Sequence, residues 1–296
     1  MSRILPLIAA QAPPRLIGEP LTHFATEVQA ALTHEPDARL VVFPELHLFG
    51  DGAPDQQRAE ALQASAEPLA GPRVRGLQQI AADLGIWLVP GSICERGEGG
   101  QLFNTQLVLS PDGGIAGFYR KIFPWRPFEP YDPGHEFVTV DLDGFGRAGL
   151  NICYDAWFPE VTRQLAWMGA EVIINVVKTT TPDREQELVL ARANAITNQV
   201  FVVSVNCAGP TGQGRSIVVD PEGRVITEAP TAEPAVLTAQ LDLSAVEHVR
   251  RHGTAGLNRM WSQFRPGEPA IELPVYQGRI DPATWTPVLR SSRSIS

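Results

Sequence analysis

The sequence predicts an α/β protein built as one domain from two similar halves. Three observations carry this. Short apolar runs alternate with amphipathic stretches along most of the 296 residues. Two hydrophobic hairpins, "LVLSPDGGIAG" (107–117) and "IVVDPEGRVIT" (217–227), turn on Pro-Asp-Gly and Pro-Glu-Gly. Other segments recur at a similar offset: "IWLVPGSICE" (86–95) with "VFVVSVNCAG" (200–209), and "LVVFPE" (40–45) with "GLNICYD" (149–155). That last pairing makes Glu45 and Cys153 the ends of equivalent strands. Ligands in open α/β sheets sit at such carboxyl ends.

The elements follow in order. The first run, "MSRILPLIAAQA", imitates a secretory signal but is shorter than the ~15–30 residues such a signal needs. It reads as a strand over 4–11. Further strands are predicted at 40–45, 87–94, 105–110, 137–142, 147–153, 171–177, 201–207, 216–220 and 236–241, each a short apolar run. Between them, 18–33, 73–84, 159–168 and 184–199 are amphipathic and read as helices. No linker or low-complexity stretch divides the chain. Residues 1–255 are assigned to one domain; 256–296 lose periodicity, gain Pro, Arg and Ser, and read as an arm packing on the domain or on a partner subunit.

Composition narrows the function. With 44% hydrophobic and 19% charged residues, the chain buries a sizeable core without staples. A net charge of −9 argues against a nucleic-acid or anionic-membrane surface. No apolar run reaches the ~18 residues of a membrane span. Three widely spaced cysteines, Cys94, Cys153 and Cys207, form neither a disulfide framework nor a CxxC metal site. A reducing, cytoplasmic setting is expected.

Chemistry gathers at "LNICYDAWFPE". The apolar run stops on Cys153, and polar and aromatic residues follow before a helix begins at Pro159. Most free cysteines are small buried hydrophobes. A cysteine between a strand end and a helix N-terminus, by contrast, is placed where a thiolate is stabilised. Its base is either a histidine, with His47 and His135 as candidates, or Glu45. Glu45 closes the apolar strand in "RLVVFPELH" and is expensive to bury unless paired. Of 24 basic residues only Lys121 and Lys178 are lysine. An ammonium is a compact charge that arginine cannot replace. "GFGRAG" (144–149) matches GxGxxG but precedes a strand, so it cradles no phosphate.

Taken together, "VVFPE" with Glu45, "GFYRKIFPW" with Lys121 and "LNICYDAWFPE" with Cys153 resemble the Glu–Lys–Cys triad of the nitrilase, or carbon–nitrogen hydrolase, superfamily. "RPFEPYDPG" supplies Glu129 where that family keeps a second glutamate. "ARANAITNQVFVVSVN" (191–206) and "GRSIVVDPEG" (214–223) resemble its later blocks, so the similarity runs to about Leu243. "YRKIFPWRPFEPYDPG" is most similar to aliphatic amidases and formamidases. Tyr154-Asp155 replaces the Trp-Glu that nitrilases tend to carry after the nucleophile, which favours amide over nitrile. Thr197 departs from the Glu found in many members.

The resemblance implies a four-layer α-β-β-α sandwich, a homodimer or higher homo-oligomer, and no cofactor or metal. It implies hydrolysis of a small amide through a thioester. Cys153 would be the nucleophile and Glu45 the base. Lys121 and the Tyr154 N–H would hold the oxyanion, with Glu129 orienting Lys121. Lys178, Trp157 and Tyr131 are expected at the substrate. The alternatives are an N-carbamoyl amidohydrolase, for which the expected arginines are absent at Ala156 and Trp157, a nitrilase, or a non-catalytic member of the fold.

Overall fold

Alternation along the strands decides the layers. The computed structural model describes residues 2–50, 55–273 and 278–279. The first half runs β1 (Ile4–Gln11), α1 (Leu21–Leu32), β2 (Leu40–Val42), α2 (Asp55–Ser65), α3 (Pro72–Leu84) and β3 (Trp87–Val89). It continues through β4 (Ser92–Arg96), β5 (Leu102–Leu109) and β6 (Ile115–Arg120). The second half runs β7 (Thr139–Leu142), β8 (Gly146–Ile152), α4 (Pro159–Trp167), β9 (Val172–Val177) and α5 (Arg184–Asn198). Then come β10 (Phe201–Asn206), β11 (Ile217–Val219), β12 (Val225–Glu228), β13 (Ala235–Asp242) and α6 (Ser244–His252).

Leu5 and Leu7 of β1 pack against Leu150, Ile152, Ile174 and Val176 of β8 and β9, so two sheets meet face to face. The residues between them turn outward. Ile8 and Val41 meet Phe24 and Val28 of α1 and Leu77 of α3, while Ile173 and Val202 meet Leu165 of α4 and Ala195 of α5. Three apolar layers between four secondary-structure layers give the expected α-β-β-α sandwich.

Each sheet repeats one plan. In the first, β1 pairs antiparallel with β13 and parallel with β2, and β2 parallel with β3. In the second, β8 pairs antiparallel with β7 and parallel with β9, and β9 parallel with β10. Each then closes on an antiparallel hairpin, β5–β6 or β11–β12, at the two predicted turns. This topology corrects one sequence pairing. β8 is the counterpart of β1 and β9 that of β2, so Cys153 and Glu45 do not end equivalent strands. Glu45 corresponds instead to the turn at Lys178. Short shared patterns such as "VVF" and "NIC" cannot distinguish neighbouring buried strands.

The predicted strand 40–45 stops at Val42: Phe43 N–H still reaches Val89 O, but Pro44 has no N–H to extend the ladder. The predicted strand 87–94 breaks in two at Gly91, whose φ is +87°. A Cβ there would collide with the Pro44 carbonyl oxygen. Only glycine lets the turn carrying Glu45 settle over the break. The helices α2 and α6 lack a sequence forecast: α2 buries little besides Leu62, and α6 is short and charged. Of the C-terminal arm, Trp261 packs against α4 and α6, with Arg163 and Arg250 each 5.1 Å from its ring. Residues 274–277 and 280–296 of that assignment lie outside the described residues.

Candidate active site

Four strand ends supply the site. Glu45 follows β2, Lys121 follows β6, Cys153 follows β8, and Lys178-Thr179 follow β9. These strands run the same way, so their carboxyl ends open on one rim. Lys121 is held there by its backbone: its N–H donates to Asn104 O, and its carbonyl accepts from Gly134 N–H.

The side chains of Lys121 and Glu45 are almost wholly buried. The Lys121 ammonium lies 3.0 Å from Glu45 Oε1, and 2.8 and 2.9 Å from the two oxygens of Glu129. Asn104 Nδ2 also donates to Glu45 Oε1 at 2.7 Å, and Trp125 N–H to Glu129 Oε2 at 2.8 Å. Burial alone would lower the Lys121 pKa, but Glu45, Cys153 and Glu129 outweigh it and hold the ammonium well above its usual range. Glu129 is raised by burial, and Lys121 pulls it back. A charge this deep persists only because its partners are in contact.

Cys153 opens a 3-10 turn, Cys153–Trp157, with φ at +47°. A non-glycine residue there is strained by ~1–3 kcal/mol and needs its surroundings to hold it. Asp155 does so. It accepts from Ile152 N–H, Phe123 N–H and the Tyr119 hydroxyl at 2.9, 2.9 and 2.8 Å. One carboxylate thereby ties the Cys153 turn to the Lys121 loop. Burial pushes Asp155 up to about 7, and Lys121 and its three donors pull it back.

Burial pushes the Cys153 thiol well above its usual range; Glu45 adds to this and Lys121 opposes it. Burial and the carboxylates thus work against the thiolate expected at a helix start. The physical reason is that one short turn cannot offset desolvation and three nearby carboxylates.

The histidines fall elsewhere. His47 is buried, 4.8 Å from the Phe43 ring centroid and 3.0 Å from Glu27. His135 is exposed beside Glu136. Tyr154 and Trp157 are half-buried behind Cys153, their rings 6.2 Å apart, beside the stacked Phe123–Phe158 pair. Tyr131, expected at the substrate, instead packs into the first-sheet core with its hydroxyl 3.5 Å from Cys94 Sγ. Lys178 Nζ is buried, and burial brings it down to about 8, Arg58 acting the same way against Cys207, Glu45 and Cys94. Asn104, Tyr119 and Glu187 also join the site and were absent from the sequence reading. The polar run Asn104-Thr105-Gln106 at the head of an otherwise apolar strand was the one available signal.

A thiol, an ammonium and a carboxylate at the strand ends of an α-β-β-α sandwich, with a second carboxylate from the loop after β6, define a class of hydrolase fold. The chain belongs to the carbon–nitrogen hydrolase family, whose profile matches residues 9–251. It is 31% identical over 230 residues to a formamidase of Pseudomonas syringae pv. syringae, covering 76% of this chain and 66% of the relative. The chain thus spans just under two thirds of that formamidase's length. It is 35% identical over 241 residues to an (R)-stereoselective amidase of a Pseudomonas species, covering 79% and 84%. Among solved structures, Saccharomyces cerevisiae Nit3 of the nitrilase superfamily aligns with a TM-score of 0.75 at 28% identity, over 84% of this chain and 94% of that one. An amidase from Nesterenkonia sp. AN1 aligns with a TM-score of 0.69 at 25% identity, over 84% and 94%; that structure shows covalent addition of the acetamide moiety of fluoroacetamide at its active-site cysteine.

Proposed function

We propose that this chain hydrolyses the C–N bond of a small amide through a thioester on Cys153. The observation that carries the reading is one buried ammonium bonded to both Glu45 and Glu129, with the Cys153 thiol in their electrostatic reach. Cys153 attacks the amide carbon as its proton passes to Glu45. Lys121 and Asn104 both engage Glu45 Oε1, which leaves proton transfer to the other oxygen. The oxyanion is met by the Lys121 ammonium and the Tyr154 N–H; the first amides of a helical turn have no carbonyl partner within it. Glu45 returns the proton to the departing ammonia or amine, then activates water against the thioester. Glu129 holds Lys121 in place with two bonds.

Ammonia release from formamide, short aliphatic amides, ureido acids and nitriles, with carbon dioxide measured in parallel, tests this. Ammonia from simple amides without carbon dioxide is expected. Carbon dioxide from ureido acids would assign the carbamoyl reaction instead, and silence on the whole panel would refute the proposal.

Lys178 is proposed to attract an anionic end of the substrate. Lys178→Met should raise KM for acidic amides several-fold more than for neutral ones. Because an ammonium carries its charge below its pKa, the parent's preference should fade as pH rises past about 8. An equal effect on both amide classes would remove the role.

A further inference from the structure

A further carboxylate reaches Cys153 by a different route. Glu45 and Lys121 come from the first sheet, whereas Thr179 follows β9 of the second, which also carries Cys153, and Glu187 comes from α5 packed on that sheet. Thr179 Oγ1 lies 3.8 Å from Cys153 Sγ and 2.8 Å from both carboxylate oxygens of Glu187, in the first turn of α5. Glu187 is buried and receives Arg184 Nη1 at 2.9 Å. Arg184 is anchored in turn on Ser204 Oγ and the carbonyls of Gly214 and Arg215. The Thr179 N–H donates to Asn206 Oδ1 at 2.8 Å, which fixes its backbone.

A threonine hydroxyl has one proton to give. A carboxylate at 2.8 Å takes that proton in preference to a sulfur at 3.8 Å. Toward Cys153, Thr179 is then left as an acceptor, and the chain reads thiol to hydroxyl to carboxylate. A hydrogen bond to the neutral form of a group disfavours its ionisation.

We propose that Thr179 and Glu187 are positioning residues that hold Cys153 as a protonated thiol in the resting site, until substrate brings that proton under Glu45. This rests on the reading of Cys153 as nucleophile. Other charges act on the same thiol: Glu45, Lys121 and Glu129 from the first-sheet side, while Asp155 on its own turn is taken up by Ile152 N–H, Phe123 N–H and the Tyr119 hydroxyl. Lys178 precedes Thr179, and α4 carries Glu160 and Arg163, the latter bonded to Thr197 O. Among the carboxylates acting on the thiol, Glu45 and Glu129 share the Lys121 ammonium, while Glu187 is tied to Arg184.

The test is alkylation of Cys153 by iodoacetamide in the full chain, followed by mass spectrometry as a function of pH, with no amide substrate. Thr179→Val removes the hydroxyl at nearly constant shape. Its labelling profile should move down by about one pH unit, so labelling at a fixed pH below the midpoint quickens roughly tenfold. Glu187→Gln should move it the same way, and Thr179→Ser should restore the parent's profile. A Thr179→Val profile that overlays the parent's, or moves to higher pH, overturns the proposal. Should Glu187→Gln fail to fold, because it strands buried Arg184, the Thr179 pair decides alone. Absence of labelling at Cys153 at any pH overturns this proposal and the nucleophile reading together. Labelling with the expected shifts but no amide cleaved counts against the amidase reading only.

Discussion

Cys153→Ala is expected to release no measurable ammonia from any amide the parent cleaves, while unfolding at nearly the parent's temperature. The side chain is small and half-buried at a strand end, so its loss should change stability by less than ~1 kcal/mol. Neither remaining thiol can take its place. Burial pushes Cys94 up to about 11 and Cys207 to about 12, and both are packed in the interior. Residual turnover in this variant would mean that the nucleophile is elsewhere. Turnover assays paired with a thermal melt decide the matter, because a variant inactive through misfolding would show itself in the melt.

Lys121→Arg carries the second large effect. It keeps the charge, but a planar guanidinium does not fit where one nitrogen meets three carboxylate oxygens within 3.0 Å. Counted as one lost oxyanion donor, kcat should fall by about 10²-fold or more. Lys121→Met should also cost stability, on the order of 3–5 kcal/mol, because it strands the buried Glu45 and the half-buried Glu129. His135→Ala should stay near the parent in kcat. An active Lys121→Arg beside an inactive His135→Ala would make an imidazole the base and refute the assignment of Glu45.

Much of this was legible in the chain because it is written locally. Glu45, Lys121, Glu129 and Cys153 each stand in a short distinctive segment, and the strands around them are plain apolar runs. What escaped depends on chain segments far apart. Nothing near Asn104 says that its amide will meet Glu45, and nothing in "KTTTPDREQE" says that Thr179 will stand between a thiol and Glu187. Tyr131 was misplaced because an aromatic next to a catalytic motif and an aromatic filling a core look alike in sequence. The strand pairing of the two halves failed for a related reason: apolar composition marks a strand as buried without saying which neighbour it has.

The pairing of β1 with β13 has a consequence in time. Ile4 lies against Asp242 and Gln11 against Ala235, so β1 waits for a partner made far later. During synthesis its outer edge stays open, with a row of unpaired amides on an apolar strand, which is the surface that recruits wrong partners. Sheets closed by such distant contacts also form slowly. A ribosome-bound chain halted before residue 235 would therefore carry Glu45, Lys121 and Cys153 and yet leave its first sheet unsealed. Its yield in a cell should depend on how fast translation runs through β13.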